Sequence, residues 1–456
     1  MHKIFILVFL LINSALILPQ ESNQKSLAIT VYNGDLGVVK DVRSLDLSKG
    51  KSRVSITDVA QNIIPATVHI KFDGEVIEQN YQYDLVSLDK ILQKYIDKDI
   101  QLYSETNEII EGKLLSGNSA QVVLQKKEGG ITMLPDLTKY RFNVNTLPEN
   151  FITKPTLIWD LNSNKSGNQD VEITYQSRGL SWQAEYVGVL NETDTKLDLK
   201  AWVSLNNNSG ASYKNASLKL VAGDLNLIQE NRQPMYEMPV MTKGVESDRQ
   251  FVEQSFFEYH IYDLQRQTSL NNNEKKQISL FETSDIPVTK KYLYTNKSNY
   301  YYYGNNNNNN KINVVIEFEN KAEYGLGMPF PKGVIRMNKS DGKSIEFIGE
   351  DMIEHTPKNE KLKLKIGDAF DIVAEEIQKE NKRITDKLYE QEYEIKFRNR
   401  KEQDVVIEVE RFLGLNWEIL NSNIKYDKKD AQNVIFQVPV KADKETTLNF
   451  KIRYTY

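Results

Sequence analysis

The residues best suited to chemistry in this chain lie close together at Glu350, Asp351, Glu354 and His355. Carboxylates beside an imidazole can hold a hard divalent cation through oxygen ligands, or work as an acid/base pair. The plainer reading is a solvated polar turn after Gly349, ended by Thr356 and Pro357. Histidine is otherwise scarce. His69 and His260 stand singly within alternating runs, and no HxH or HExxH spacing occurs. These residues assign no catalytic role, and no stretch carries a cofactor signature. Four tryptophans, Trp159, Trp182, Trp202 and Trp417, are the other candidates. An exposed indole can stack on the C–H face of a sugar ring. Trp182, however, is in phase with apolar neighbours and Trp202 lies inside a strand run, so packing is the simpler use. The tyrosines at 300–303 precede six consecutive asparagines; they read as strand residues flanking a loop tip, or as an aromatic surface.

The elements that must position these groups are strands. Between 170 and 225 apolar residues recur at every second position in four runs: Val171–Ile173–Tyr175, then Trp182–Ala184–Tyr186, then Leu197 to Leu205, then Ala216–Leu218–Leu220. A period of two sends side chains alternately to two faces, which marks half-buried strands. Arg178–Gly179, residues 191–195 and residues 206–212 supply turn chemistry between them. One antiparallel sheet is expected, with an apolar face that needs a partner layer.

The same period organises the rest. Residues 26–84 read as an N-terminal β domain, with Leu27, Ile29 and Val31, then Val38, Val42, Leu45 and Leu47, as strand apolars. Asp73–Gly74 signals a hairpin. Ser87 caps a short helix whose Leu88, Ile91, Leu92 and Tyr95 share one face. Five short strands with Gly-bearing turns follow, so residues 85–148 predict a helix plus a small closed SH3/Sm-like β-barrel inserted in the N-terminal part. Pro148 and Pro155 bracket a linker. Residues 155–456 predict a C-terminal β-sandwich region with loops at 226–250 and 298–311. Residues 370–389 fit neither period; their β neighbours favour long strands over a helix. The fold class is mostly β: antiparallel sandwich units, a small barrel and one short helix.

Bulk properties bound the function. The 456 residues allow two to four domains at about 150 residues each. The formal net charge of −5 offers no basic footprint for nucleic acid or anionic lipid. His2 and Lys3 precede a short apolar run, the pattern of a secretory signal peptide over residues 1–20. No later stretch is long and apolar enough to span a membrane as a helix. The alternating, aromatic end at 448–456 resembles the last strand of an outer-membrane barrel, but dense charge favours a soluble sandwich. The sequence holds no cysteine, which excludes disulfides, thiolate metal sites and a lipid-modified cysteine after the signal.

Several blocks, in order, resemble a family of exported bacterial proteins described as mucoidy-inhibitor-like and built on a domain of unknown function. They are residues 178–186, 256–270, 275–281, 325–337, 347–372 and 393–401. Many members carry a long coiled coil between their two parts; this chain is expected to have the small barrel there instead, so any role of a coiled coil does not transfer. The resemblance implies an envelope or secreted β protein and transfers no catalytic residue. The expected function is therefore a non-enzymatic binding or structural module, periplasmic, at the cell surface or extracellular, for polysaccharide or a protein partner and without cofactor. A hydrolase acting on envelope polysaccharide through carboxylates brought together in space is the alternative.

Overall fold

The computed structural model describes residues 23–83, 87–144, 153–223, 250–256, 259–296, 311–414 and 416–455. The expected signal peptide, the tyrosines at 300–303 and nearly all of the loops 226–250 and 298–311 lie outside these. Along the chain come β1 (Asn23–Tyr32), β2 (Leu36–Leu47), β3 (Gly50–Ile56), β4 (His69–Lys71) and β5 (Gly74–Gln82). The helix α1 (Leu88–Tyr95) precedes β6 (Asp99–Ser104), β7 (Ile109–Gly117), β8 (Val122–Gln125), β9 (Ile131–Leu134) and β10 (Tyr140–Asn143). Next are β11 (Thr156–Ser163), β12 (Gly167–Ser177), β13 (Leu180–Leu190), β14 (Lys196–Asn207), β15 (Tyr213–Ala222), β16 (Phe251–Phe256), β17 (Tyr259–Leu264), β18 (Thr268–Leu270) and β19 (Glu274–Pro287). The chain closes with β20 (Thr289–Asn296), β21 (Lys311–Glu319), β22 (Gly333–Ser340), β23 (Ile345–Ile353), β24 (Lys361–Thr385) and β25 (Leu388–Asn399), then β26 (Val405–Phe412), β27 (Trp417–Ser422), β28 (Tyr426–Lys428), β29 (Asn433–Val440) and β30 (Glu445–Thr455).

Two compact units share the chain. The first takes everything up to Ser181, then Asn206–Lys219 and Arg266–Lys275; the second takes the remaining pieces to Tyr456. In the first unit β15, β1, β2, β12 and β4 lie side by side in one sheet, and β3, β11 and β5 form a separate three-stranded sheet. Along β2 every second residue is buried, but the inward set is Val39, Asp41, Arg43, Leu45 and Leu47. Val38 and Val42, expected as strand apolars, are only half-buried. The phase differs because an Asp–Arg pair two apart satisfies itself inside: the Arg43 guanidinium meets the Asp41 carboxylate at 2.7 Å, and Gln24 donates to Asp41 at 2.9 Å.

The helix and the five strands after it follow the expected order. Ser87 caps α1, and Leu92 and Tyr95 enter a core with Ile100, Leu102, Leu114 and Leu124. The expected closed barrel is corrected. The ladder runs β10-β6-β7-β8-β9, and its terminal strands β9 and β10 do not pair. β8, β9 and β10 have only four residues each. The link between β9 and β10 is drawn into a one-turn helix at Leu137–Lys139, capped by Asp136 and tied by the Leu137 N–H to the Ala120 carbonyl at 3.0 Å. α1 and Leu137 then supply apolar surface to this core.

The four alternating runs of 170–225 all form strands, but not one sheet. β12 and β15 belong to the sheet of the first unit, whereas β13 and β14 join a five-stranded sheet of order β19-β14-β13-β22-β23. The switch between β12 and β13 is made at Gly179, whose φ is +82° and where a Cβ would strike the Asn208 backbone. Glycine adopts that left-handed backbone without a steric penalty.

The second unit also holds a nine-stranded sheet of order β27-β30-β25-β24-β21-β20-β26-β29-β28. Strands from both halves of that order, including β25, β30, β26 and β29, bury one shared core around Phe397, Phe450, Phe436 and Tyr294. Such a core requires the sheet to fold over itself as two facing layers. Among the described pairings of known direction, two depart from the antiparallel expectation: β13 with β22 and β20 with β26 are parallel. Both join distant parts of the chain, where no tight hairpin dictates direction. The ambiguous residues 370–389 are strand apart from the turn at Asp386–Lys387, most of them in the 25-residue β24, as their β neighbours lead one to expect.

Candidate functional site

The expected Glu350–His355 cluster is taken apart by the fold. Glu350 and Asp351 are strand residues of β23 rather than loop residues, so successive side chains face opposite ways. Glu350 pairs with Arg336 at 3.5 Å, and the Asp351 carboxylate accepts the Lys365 N–H at 2.7 Å. Glu354 pairs with Lys332 at 2.9 Å, and Nδ1 of His355 accepts the Lys332 N–H at 3.1 Å. Among the described residues no group of three or more His, Asp or Glu is placed to hold a metal ion. Gly349 lets β23 approach β24 closely: a Cβ there would run into the Ile366 carbonyl.

His69 is exposed on β4. His260 acquires a partner that its position in sequence did not signal: across the β16–β17 hairpin its Nδ1 hydrogen-bonds Oε1 of Glu253 at 2.6 Å. The tryptophans divide by environment. Trp159 and Trp182 are buried, and each indole N–H finds an acceptor, Gln79 Oε1 at 2.8 Å and the Val221 carbonyl at 3.1 Å. Trp417 is half-buried against the C-terminal core and donates to the Ala431 carbonyl.

Trp202 differs. On β14 the inward side chains are Leu199, Ala201, Val203 and Leu205, so alternation turns Lys200, Trp202 and Ser204 to the other face of the sheet. Neighbouring strands present a compatible row there. Glu185 of β13 accepts from Ser204 Oγ at 2.8 Å and from Gln277 Nε2 of β19 at 2.8 Å, and Gln183 Nε2 donates to its second oxygen at 3.1 Å. The Lys200 ammonium lies 5.0 Å from the Trp202 ring centroid and is tied to Glu282 at 2.8 Å. Further across the same sheet Val187 faces Arg336, which faces Glu350. The outcome is an open sheet face with one half-exposed indole, half-buried valines and a preset hydrogen-bonding group. A flat arrangement of this kind suits an extended polyhydroxylated ligand, since apolar and polar contacts alternate along it.

Elsewhere in the second unit, carboxylates that the fold gathers are bridged by cations. Lys291 of β20 sits 3.1 Å from Glu317 and 3.4 Å from Glu408, and Glu317 also takes Lys363 at 3.3 Å. Burial pushes the pKa of Glu317 up, but the two lysines outweigh it and the net shift is downward. Asp194, in the β13–β14 turn, bridges Lys290 and Lys339; burial again opposes and the lysines prevail, leaving its pKa lowered. In the core, Arg411 meets Glu376 at 2.7 Å over the Tyr393 ring, and Tyr294 donates to the same carboxylate at 2.8 Å. The first and last of these tie strand to strand, and the Asp194 group ties a turn to two strands. Alternating charge on facing strands is legible only once registers are known, which is why the sequence did not single them out. No protein-family model matches the chain, and no curated protein matches it.

Proposed function

We propose that the protein is an exported, non-enzymatic binding module of the cell envelope that takes a polysaccharide on the open face of the β19-β14-β13-β22-β23 sheet. The observation that carries this reading is the outward Trp202 beside the prearranged Glu185–Ser204–Gln277 group. A pyranose ring reaching the indole would displace Lys200 toward Glu282, its existing partner. Binding is favoured over hydrolysis because the gathered carboxylates Glu317 and Glu408 share Lys291. A glycosidase needs one carboxyl held protonated and its partner free to act. The apolar leader and the resemblance to an exported family support the location.

The test mixes the protein with insoluble envelope polysaccharide and follows both co-sedimentation and release of reducing ends. Retention without release is expected. Trp202→Ala should lower affinity by about 2–10-fold, the range of one aromatic contact of ~0.5–1.5 kcal/mol. Release of reducing ends in proportion to protein would establish hydrolysis instead.

A further inference from the structure

We propose that β5 is a docking edge for an extended, basic segment of a protein partner, which would add to the β3-β11-β5 sheet as a fourth strand. β5 ends that sheet and is paired on one side only, with β11, from Gly74 opposite Ser163 to Gln82 opposite Thr156. Its other row of N–H and C=O groups has no ladder partner among the described residues. An open row of this kind is a template for strand addition.

Four features set β5 apart. Six consecutive residues, Gly74 to Gln79, are exposed on both faces, with Val76 at 38% and Ile77 at 52%. The register shift opposite Asp160 and Leu161 leaves Ile77 unpaired. The strand is nevertheless held firmly from within. Gln79 accepts the Trp159 indole N–H, and the Tyr81 hydroxyl contacts the Ala60 and Gln61 carbonyls at 3.0 and 2.7 Å. Neither lysine nor proline, the usual blunting residues of an open edge, occurs in it.

Charge selects the partner. Glu75 and Glu78 are the only charged residues of β5, and neither has an ion pair among the described residues. The neighbouring Asp160 and Asp73, by contrast, are matched by Arg53 and Lys165. A second copy of β5 would set like carboxylates against each other, which disfavours self-pairing. A strand with lysine or arginine alternating with small apolar residues complements the two glutamates and Val76 together.

The experiment uses the whole protein and a labelled peptide of alternating Lys and Val, read by anisotropy and by hydrogen exchange. Binding is expected with new protection of the β5 amides. Alternate backbone N-methylation of the peptide should abolish it. The charge reversal Glu75→Lys with Glu78→Lys should weaken binding about tenfold or more and transfer preference to a peptide of alternating Glu and Val. Both side chains are exposed, so the variant should keep the wild-type Tm; the neutral pair Glu75→Gln with Glu78→Gln provides a milder version with an intermediate loss. Binding that survives N-methylation, protection that appears away from β5, or self-association relieved by the charge reversal would each overturn the proposal.

Discussion

At the scale of residues, buried and half-buried ion pairs are where substitution should be felt most. Arg43 and Asp41 are both buried, two positions apart on β2, with Asp58 adding a contact to Arg43 at 3.2 Å from the surface. Arg43→Met would leave Asp41 buried and unpaired, and the expected loss is about 3–5 kcal/mol in denaturant unfolding. Removing both charges as Arg43→Met with Asp41→Leu should recover most of that loss, since the pair repays mainly its own desolvation. Asp194 gives a pH signature. Its pKa in the folded protein is lowered by Lys290 and Lys339 against the opposing effect of burial. A lowered folded value contributes stability above the unfolded pKa of about 3.9, lost as pH falls through the folded value. Stability against pH should therefore fall less steeply below about pH 4 in Asp194→Asn than in wild type; identical slopes in the two proteins would remove Asp194 from the account.

At the scale of elements, alternation was legible wherever a strand kept one phase. β12, β13, β14 and β15 bury the residues their sequence pattern nominates. The period of β24 was obscured beyond Asp368, though its strand character was expected, for a specific reason: its pairings slip near Asp368–Val373, at Gln378/Glu380 and at Arg383/Thr385. Each slip inverts which residues face inward, so no single period survives in the sequence. The first slip also explains Phe370, which stands 96% exposed. Phe370→Ser should change stability by no more than about 0.5 kcal/mol while reducing aggregation on heating. The small helical unit should behave oppositely. Leu92 is fully buried beneath its strands, and Leu92→Ala should cost about 2–5 kcal/mol, with hydrogen exchange accelerating first in α1 and β6 to β10. The open end of that unit was not legible, because closure depends on whether β9 and β10 pair, a non-local contact that leaves no pattern in the sequence. On the candidate face, Trp202 was legible as a candidate, but not its outward direction relative to Glu185 and Gln277, which come from other strands.

At the scale of the whole molecule, the path of the chain matters more than any single contact. The two parallel pairings and the division of the four central strands between two sheets arise from long crossings, which leave no local trace in sequence. The first unit is finished by Asn206–Lys219 and Arg266–Lys275, supplied after the chain has already entered the second. A fragment ending at Leu205 would lack β15 and β18, and should show neither a cooperative thermal transition nor protease resistance. Synthesis proceeds from the N-terminus, so the earliest half of this protein cannot settle when it emerges from the ribosome. It must wait for segments that are complete only at Lys275, a delay during which the nascent polypeptide stays open to chaperones and proteases.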